Sequence, residues 1–580
     1  MIFCVILLGM RFSNWDIKGF DREVAVGLCQ NSVNPLVSVL MASRYRGKSD
    51  EIKSFLDTNS TVYFDPYLMQ DMDKAVELIK KAVADKKRIA VYGDYDVDGM
   101  TSTAIVALWL RSKSADYRIY IPKRLGGADC SGEGYGLSTQ ALDMLKADGV
   151  DFVITVDCGI TATSEAEHAK KIELGLVITD HHECRSALPD ADAVINPKRP
   201  DCSYPYKSLA GVGVAFKLIC ALEGDYLSDE IFNRYGRFLA LGTVADVMPV
   251  TGENRKLICK GLDLLNTNPG VGLKQLINET CKDTDKITAS TIGFILAPRL
   301  NAAGRMGDPI LSVELLLTDD PVGAERLASE LCLLNNDRRK LEQEIFDNAM
   351  TMLPAGEPDG PVILYSRQWN QGVTGVVASR IAERFKLPTI IISINDNEVG
   401  RGSCRSNNGF DIYHALSTCK DILINYGGHT KAAGMDIKPE NIEELRRRIT
   451  DIYNTFKSEN SGACGLSVDF EVEKPDLLTL ENIEALRKLE PFGNEHPLPC
   501  LCIKNARLIA VQSIGAGKHT RLKIDKAGTI FACIFFSVSV EDLDVSIGDD
   551  VDIAFEPQVN EFRGTLSVQL QLQDIRLSMS

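Results

Sequence analysis

The sequence lacks any apolar run long enough to cross a bilayer, which takes about 20 residues. The run from Ile2 to Leu8 is apolar but too short, no basic residue precedes it, and no convincing small-residue cleavage site follows it. This run fits neither a membrane anchor nor a secretory signal, and translation from Met10 is an alternative start. We expect a soluble protein without membrane contact.

Cysteines are present, but they lack the spacing of a motif. The 16 cysteines are scattered along the chain and no CxxC pair occurs, so a disulfide framework is disfavoured. The simplest interpretation is reduced and mostly buried thiols in a cytoplasmic protein.

An excess of positive charge is also missing. The net charge is −16 and the pI is near 5.1, which argues weakly against a protein whose whole surface coats nucleic acid. A channel lined locally by Lys and Arg stays compatible with both values. The chain has 580 residues, 45% hydrophobic and 25% charged. This composition is globular, and the length predicts about three or four domains.

Strands and helices alternate from about residue 73 onward. Helical periodicity predicts helices over residues 73–84 and 101–110. Short apolar runs predict buried strands over residues 88–92, 117–121, 152–156 and 176–179. This alternation predicts a parallel, doubly wound α/β sheet.

The predicted secondary structure changes twice in the second half of the chain. Residues 325–350 are charged and free of Gly and Pro, which predicts a long helix joining two domains. A second α/β segment follows, from about residue 362 to residue 455. Beyond Gly465, β-branched runs separated by turn signals predict a small β-barrel. These runs cover residues 501–511, 520–524, 529–536 and 551–555.

Three of the predicted strands of the first sheet end in carboxylates or imidazoles. In chain order these residues are Asp94, Asp96, Asp98, Asp157, Asp180, His181 and His182. Because ligands bind at the carboxyl ends of parallel strands, we expect these side chains to converge on one crevice.

Such a cluster needs a cation, because crowded carboxylates raise the pKa of one another. Asp and His ligands without Cys favour Mg²⁺ or Mn²⁺, and the imidazoles favour Mn²⁺. Two ions about 3.5–4 Å apart bind a phosphate, activate a water and stabilise the leaving oxygen. The predicted reaction is therefore phosphoester hydrolysis.

Each motif alone has a structural alternative. Asp94, Asp96 and Asp98 are also typical of a turn and a helix N-cap, and Asp157 of a strand-end turn. The adjacent histidines could serve a structural purpose. The same placement at three strand ends favours the metal site.

Four motifs together resemble those of the DHH phosphoesterase family. They are Asp94-Tyr-Asp-Val-Asp98-Gly99, Asp157-Cys-Gly, Asp180-His-His and Gly242-Thr-Val-Ala-Asp246. The resemblance implies two Mn²⁺ or Mg²⁺ ions whose ligands are Asp96, Asp98, Asp157, His181 and Asp246. Asp94 and His182 would lie nearby in the catalytic site. Many family members carry His where this chain has Tyr92, so Asp94 is a candidate to share the work of one metal site.

Further motifs resemble the RecJ branch of this family. Residues 195–198, 209–213 and 298–306 are similar to RecJ signatures, and residues 369–376, 400–405 and 426–434 to its DHHA1 domain. The resemblance spans about residues 60 to 575 and implies a multidomain α/β protein. Its expected parts are an N-terminal segment 1–60, a DHH catalytic domain 61–320, a connecting helix 321–355, a DHHA1 substrate-binding domain 356–460 and an OB-fold 461–580.

The resemblance also implies residues that bind DNA. The candidates are Arg124, Arg299, Arg305, Arg401, Ser403, Arg405 and His429. Arg124, Ser403 and Arg405 would hold the 5′-terminal phosphate. Arg299, Arg305 and His429 would line the site nearer the scissile bond. Nearby glycines allow backbone N–H groups to approach a phosphate closely, and we expect the glycines around His429 to mark a turn. For any single arginine, the alternative is an ion pair on the surface.

The predicted barrel carries a local excess of positive charge. Its basic residues are Lys504, Arg507, Lys518, Arg521, Lys523 and Lys526. A basic OB-fold suits single-stranded DNA. We expect Phe531, Phe535 and Phe536 to belong to the core and not to a base-stacking surface.

The predicted function is a single-stranded-DNA-specific 5′→3′ exonuclease that releases 5′-mononucleotides in DNA recombination and repair. Single-strand specificity, polarity, these processes and the expected partners come from the resemblance. The expected partners are single-stranded DNA, a single-strand-binding protein and a helicase. Two alternatives stay open. A phosphodiesterase of short oligonucleotides or cyclic dinucleotides would not need the barrel, and a non-catalytic DNA-binding scaffold would typically lack the metal ligands.

Overall fold

The structure is a computed structural model. It describes residues 12, 14–46, 48–57, 63–123, 136–185, 187–224, 228–282, 284, 286–354, 356, 358–459, 465–562 and 564–578. The chain divides into a terminal unit, formed by Met1–Ser60 and Asn460–Ser580, and a central unit, Thr61–Glu459. In the described parts of both units, no helix is long and apolar enough to cross a membrane.

The strands and helices of the described residues are numbered in chain order. The strands are β1 Asn14–Ile17, β2 Ile89–Gly93, β3 Tyr117–Tyr120, β4 Phe152–Val156, β5 Gly175–Thr179, β6 Ala193–Ile195, β7 Val362–Ser366, β8 Thr389–Ile394, β9 Gly400–Arg405, β10 Leu423–His429, β11 Ala432–Ile437, β12 Gly465–Val468, β13 Phe470–Glu471, β14 Leu501–Ile514, β15 His519–Lys526, β16 Thr529–Phe535, β17 Asp550–Phe562 and β18 Thr565–Leu577. The helices are α1 Arg22–Gln30, α2 Pro35–Arg44, α3 Ser49–Leu56, α4 Met72–Ala84, α5 Val97–Ser112, α6 Thr139–Ala147, α7 Thr163–Lys171, α8 Gly211–Glu223, α9 Asp229–Ala245, α10 Gly252–Thr267, α11 Val271–Thr280, α12 Ala289–Thr291, α13 Ala297–Met306, α14 Ile310–Leu317, α15 Pro321–Thr351, α16 Gln371–Phe385, α17 Ile412–Ser417, α18 Ile442–Glu459 and α19 Leu480–Ala485.

The first sheet of the central unit is parallel throughout. Its strands lie in the order β3-β2-β4-β5-β6. Every residue of β2 and β4 is buried, as expected when helices cover both faces of a sheet. Helices α4, α5 and α8 pack on one face, and α6 and α7 pack on the other. The prediction of a doubly wound parallel sheet is confirmed.

Capping residues set where two predicted helices begin. Helix α5 starts at Val97, earlier than predicted, because the Asp96 side chain accepts the N–H groups of Asp98 and Gly99. Such N-caps satisfy backbone donors that have no partner inside the helix. The long helix α15 begins at Pro321, before the charged stretch 325–350 but where the connecting helix was expected to start, since Asp320 caps it and its first residue is proline.

The second sheet of the central unit is mixed. Its order is β10-β11-β9-β8-β7, and only the β7–β8 pair is parallel among its described strands. We expected a turn at the glycines around His429, and this was partly wrong. Gly427 and Gly428 lie inside β10, and the chain turns only after His429.

The terminal unit contains the predicted barrel. Strands β14, β15, β16, β18 and β17 pair in that order, and β17 closes the barrel by pairing with β14. Its interior is filled by alternate apolar residues of these strands, as in small closed barrels. The prediction of a C-terminal OB-fold barrel is confirmed.

The N-terminal residues pack against this barrel. Strand β1 pairs with β12 in parallel, and the indole N–H of Trp15 donates to the Asp574 carboxylate at 2.8 Å. The guanidinium of Arg44 binds both oxygens of Asp469 at 3.0 and 2.9 Å. Apolar residues of α2 also join the barrel core. The two ends of the chain thus build one unit.

Candidate active site

The strand-end side chains of the first sheet come together with one residue from the end of a helix. Asp94 follows β2, Asp157 follows β4, His181 follows β5, and Asp246 follows α9. Three overlapping groups have ligand atoms within 4.8 Å of one another: Asp94, Asp96, Asp157; Asp157, His181, His182; and Asp98, His181, Asp246. We call Asp94, Asp96, Asp98, Asp157 and Asp246 the carboxylate cluster.

The start of α8 holds Asp98 in place. Its two carboxylate oxygens accept the N–H groups of Gly211 at 2.6 Å and Val212 at 2.8 Å. Burial and the charge of Asp96 raise the pKa of Asp98 to about 7, although these two hydrogen bonds oppose the rise. A Cβ atom on Gly211 would lie 2.6 Å from Asp157 Oδ1. Glycine at the helix start therefore makes room for two carboxylates.

Asp157 is the most constrained member of the carboxylate cluster. It adopts φ 61°, and within the described residues its buried Oδ1 makes no hydrogen bond. That oxygen lies 3.1 Å from Nε2 of His181. Burial, with the charges of Asp98 and Asp96, raises the pKa of Asp157 well above its usual range. A buried oxygen without a donor, among other carboxylates, fits a divalent cation as its partner.

Asp180 positions the two histidines. Its carboxylate accepts the backbone N–H groups of Ile160 and His181 and the ring Nδ1–H of His182, at 2.7–2.8 Å. Burial opposes ionisation, but the hydrogen bond and charge of His182 lower the pKa of Asp180 to about 2. Burial and the charge of His182 lower the pKa of His181 to about 3. His181 is therefore neutral, which is the form that binds metals.

Asp246 completes the site from a different direction. It ends α9 and places Oδ2 3.6 Å from Nε2 of His181. Burial and the charge of Asp98 raise the pKa of Asp246 to about 8. In the sequence Asp246 sits in an apolar helical run without a strand before it, so only the family motif pointed to it.

Tyr92 points away from the site. Its side chain is fully buried, and its hydroxyl donates to the carbonyl of Gly136 at 2.9 Å. Asp94, two residues later, places its carboxylate with those of Asp96 and Asp157. Although this chain has Tyr92 where many family members carry His, Asp94 supplies a carboxylate at this edge of the cluster.

Three family models match successive parts of the chain. They are the DHH family, N-terminal domain, over residues 88–243; the DHHA1 domain, over residues 359–455; and the RecJ OB domain, over residues 468–574. The single-stranded-DNA-specific exonuclease RecJ of Bacillus subtilis (strain 168) is 37% identical over 568 residues, which cover 97% of this chain and 71% of that protein. The chain belongs to the RecJ family.

Solved structures agree with this assignment. RecJ from Thermus thermophilus in complex with Mn²⁺ matches with a TM-score of 0.82 and 26% identity, covering 98% of this chain and 80% of that one. The Mg²⁺ complex of RecJ from the same organism matches with a TM-score of 0.76 and 25% identity, covering 98% and 79%. The RecJ family thus accounts for nearly the whole length of the chain.

In this RecJ-family chain, the predicted DNA-binding residues of the second sheet share one face. Arg401, Ser403 and Arg405 occupy alternate positions of β9. Ala432 of β11 pairs with Arg405 of β9 on one side and with His429 of β10 on the other, so His429 is on the same face. We call Arg401, Ser403, Arg405 and His429 the arginine face.

The start of α16 borders the arginine face. The hydroxyl of Ser403 lies 3.1 Å from that of Thr374, and Nε of Arg405 donates to the Ser379 hydroxyl at 3.0 Å. Arg401 lies 3.4 Å from Asp436. Ser403 and Arg405 thus lie beside the first turns of α16, where a Cβ atom on Gly375 would meet both side chains, and an arginine near a helix N-terminus suits an anion.

Helix α13 packs against the residues between β2 and α5. The Asn301 side chain accepts the N–H of Val97 at 3.1 Å, and a Cβ atom on Gly304 would lie 2.3 Å from the Tyr95 carbonyl oxygen. No separate pattern in the sequence indicated either contact. Arg305 reaches from α13 to the carbonyl of Gly372 at 3.4 Å.

The remaining predicted DNA ligands are Arg299 and Arg124. The guanidinium of Arg299 donates to the Ile295 carbonyl of its own helical stretch at 2.6 Å. Arg124 lies outside the described residues.

The basic residues of the barrel divide into paired and solvent-facing groups. Lys504 binds Glu471 at 2.9 Å and Arg507 binds Asp550 at 3.2 Å. Arg521 and Lys523 stand exposed on β15. Phe531 and Phe535 are buried as expected, but Phe536 is 44% exposed and packs edge-on against His519. The expectation of a core position was wrong for Phe536, because β16 ends at Phe535 and the chain turns outward.

Proposed function

We propose that this chain is a single-stranded-DNA-specific exonuclease that hydrolyses phosphodiester bonds with Mn²⁺ or Mg²⁺. The observation that carries the proposal is the carboxylate cluster, in which a buried oxygen of Asp157 makes no hydrogen bond among the described residues, in a chain that matches a RecJ protein over 97% of its length. A non-catalytic scaffold would have no need for such a repulsive cluster, which costs stability when it holds no cation.

The proposed metal ligands are those predicted from the motifs. Asp96, Asp98, Asp157, His181 and Asp246 would hold the ions, and Asp94 and His182 would complete the catalytic site. When bound, such ions supply an activated water and stabilise negative charge on the phosphate. Asp180 keeps His182 oriented, and the N–H groups at the start of α8 fix the position of Asp98.

Among the described residues, the proposed DNA contacts lie on the second sheet, on α13 and on the barrel. Arg124, Ser403 and Arg405 would hold the 5′-terminal phosphate, next to Arg401 and the start of α16. Arg299, Arg305 and His429 would lie nearer the scissile bond. The exposed Arg521 and Lys523 would contact the strand on the barrel, because OB-folds bind nucleic acid on their second and third strands.

The finer assignments follow from the family. We propose 5′→3′ polarity with release of 5′-mononucleotides, a role in recombination and repair in the cytoplasm, and a single-strand-binding protein and a helicase as partners. We also propose the domain limits 61–320, 321–355, 356–460 and 461–580, preceded by residues 1–60.

The experiment uses purified protein, Mn²⁺ and long single-stranded DNA labelled at either the 5′ or the 3′ end. The controls are the matching blunt duplex and the Asp157→Ala variant. We expect immediate release of labelled mononucleotide from the 5′ end, with no release from the duplex or by the variant.

Other results would assign another function. Cleavage of dinucleotides or cyclic dinucleotides with the long strand left intact would identify a small-substrate phosphodiesterase. DNA binding without cleavage in any divalent metal would identify a scaffold. Early release from the 3′ end would contradict the polarity alone.

A further inference from the structure

Lys198 is anchored beside the metal ligands but has no role in the assignments above. It follows β6, the edge strand next to β5. The buried side chain of Asn196 donates to the carbonyl of His182 at 2.9 Å and accepts the N–H of Lys198 at 2.8 Å. One amide thus ties the backbone of Lys198 to the histidine pair.

The ammonium group of Lys198 rests on a weak partner. Its Nζ lies 2.9 Å from Oε1 of Glu183, and the two side chains are 23% and 64% exposed. An ion pair with so exposed a carboxylate is worth about 0–1 kcal/mol. Stability alone therefore gives little reason to anchor a lysine at this position.

The ion pair of Lys198 lies next to the histidine pair. Its partner Glu183 directly follows His182 in the chain, and Nδ1 of His182 lies 4.0 Å from Oδ1 of the metal ligand Asp157. Because the lysine stem is long and flexible, the ammonium group can turn from Glu183 towards an anion bound beside His182.

The charge balance of the site leaves room for one more cation. With metal bound, the five carboxylates of the cluster would carry five negative charges, and two divalent ions would contribute four positive ones. A phosphodiester adds a further negative charge, which grows at the leaving oxygen during hydrolysis. A lysine is suited to such a place, since its ammonium is a compact charge on a flexible stem.

We propose that Lys198 is a DNA-binding residue of the active site, whose ammonium leaves Glu183 and binds a phosphate oxygen of the strand at the metal centre. Glu183 is its partner when no DNA is present. This inference rests on the proposed exonuclease function.

The test compares Lys198→Met and Glu183→Gln with wild-type protein. Steady-state kinetics on 5′-phosphorylated single-stranded DNA with Mn²⁺ give kcat and KM at several salt concentrations. Titration with Mn²⁺ in the absence of DNA gives the metal affinity. The matched controls are Lys113→Met and Glu223→Gln, which remove the same charges from the ion pair at the far end of α8, where the atoms are 3.0 Å apart.

The two variants should act in opposite directions. We expect Lys198→Met to lower kcat/KM about 10-fold or more, because a charge-assisted contact to phosphate is lost. The salt dependence of KM should weaken by about one phosphate contact, a change of about 0.7 in the logarithmic slope. Glu183→Gln should lower KM by more than Glu223→Gln does, because it removes the competing carboxylate. Metal affinity should stay within about 2-fold, as the ligands are intact.

The inference is overturned if both variants change kcat/KM in the same direction, or if Lys198→Met behaves like Lys113→Met. Loss of Mn²⁺ affinity in Lys198→Met without DNA would also overturn it, because Lys198 would then only position the ligands. If wild-type protein fails to degrade single-stranded DNA, the proposed function falls and this inference with it. An active wild type with unaffected variants removes the inference alone.

Discussion

The carboxylate cluster and the arginine face differ in how their charges are held. In the first, most of the carboxylates are buried against one another, and burial raises the pKa of Asp98, Asp157 and Asp246. In the second, partly exposed arginines lie on β9, next to the glycine and alanine residues of β11. A buried cluster of one charge needs its counterion to be stable, whereas an exposed one is already solvated. Metal should therefore stabilise the first site, and salt should weaken binding at the second.

Removal of one carboxylate should give the largest effect. Asp157→Asn keeps the shape of the side chain but removes a charge from the cluster. Activity should fall about 10⁴-fold, as when one member of a group that acts together is lost. In the metal-free state, at an alkaline pH where the carboxylates of the wild type are ionised, the variant should melt at a higher temperature than wild type, since a buried repulsive charge is gone.

Calorimetry with and without Mn²⁺, together with the nuclease assay, checks this prediction. The increase in Tm on adding Mn²⁺ should shrink or disappear in the variant. A metal-free variant that is less stable than wild type would mean that Asp157 is held by contacts more favourable than the repulsion described above. The matched control is Asp436→Asn beside the arginine face, which should leave the Mn²⁺ effect unchanged.

The second-largest difference between the two sites should be the pH dependence of the carboxylate cluster. The pKa values of Asp98 and Asp246 are about 7 and about 8 in the metal-free fold, against about 4 in an unfolded chain. The folded state then binds more protons than the unfolded state, so these groups contribute stability below about pH 4 that is lost as the pH rises through 7 to 8. Metal binding needs the ionised carboxylates and therefore strengthens over the same range.

The increase in Tm caused by Mn²⁺ should accordingly be larger at about pH 8.5 than at about pH 6. Differential scanning calorimetry at a fixed Mn²⁺ concentration measures it. An increment that is equal at the two pH values would show that the cluster is already ionised without metal.

The smallest expected effects concern two adjacent glycines on β10, whose replacement by alanine should change stability in opposite directions. A Cβ atom on Gly427 meets no other described atom within 4 Å, whereas one on Gly428 would lie 2.5 Å from the Ala432 carbonyl oxygen, at φ 138°. Gly427→Ala should therefore raise the free energy of unfolding by about 0.5–1 kcal/mol. Gly428→Ala should lower it by about 1–3 kcal/mol.

The functional part of this comparison concerns Gly427. Glycine in a strand with open space above it indicates the close approach of a ligand. Gly427→Ala should weaken binding of single-stranded DNA several-fold while the fold gains stability, and fluorescence anisotropy with chemical denaturation measures both. DNA affinity equal to wild type in this variant would remove the arginine face from the DNA path.

The sequence predicted the strand-end members of the cluster because a parallel sheet brings its carboxyl ends to one edge. Asp96, Asp157 and His181 each follow an apolar run, and this needs no knowledge of distant contacts. Asp246 and Asn301 escaped the same reasoning, because they approach from helices that are remote in sequence. Their positions depend on how those helices pack, which local patterns do not record.

Other features depend on long-range pairing or on the ends of elements. The β1–β12 pair joins residues more than 400 positions apart, and four residues such as Asn14–Ile17 carry no signal of their partner. The bounds of β4 agree with the prediction, since a fully buried strand is delimited by its own composition. The prediction of a core position for Phe536 was wrong because, at the end of a strand, neighbouring residues can differ completely in burial.

The shared unit formed by the two chain ends has a consequence for synthesis. A ribosome releases the chain from its N-terminus, and domains generally fold as units while they emerge. The central unit, Thr61–Glu459, is complete before any barrel strand is made. Trp15 and Arg44 must wait for Asp574 and Asp469, so the nascent protein can assemble its hydrolytic centre before its barrel exists.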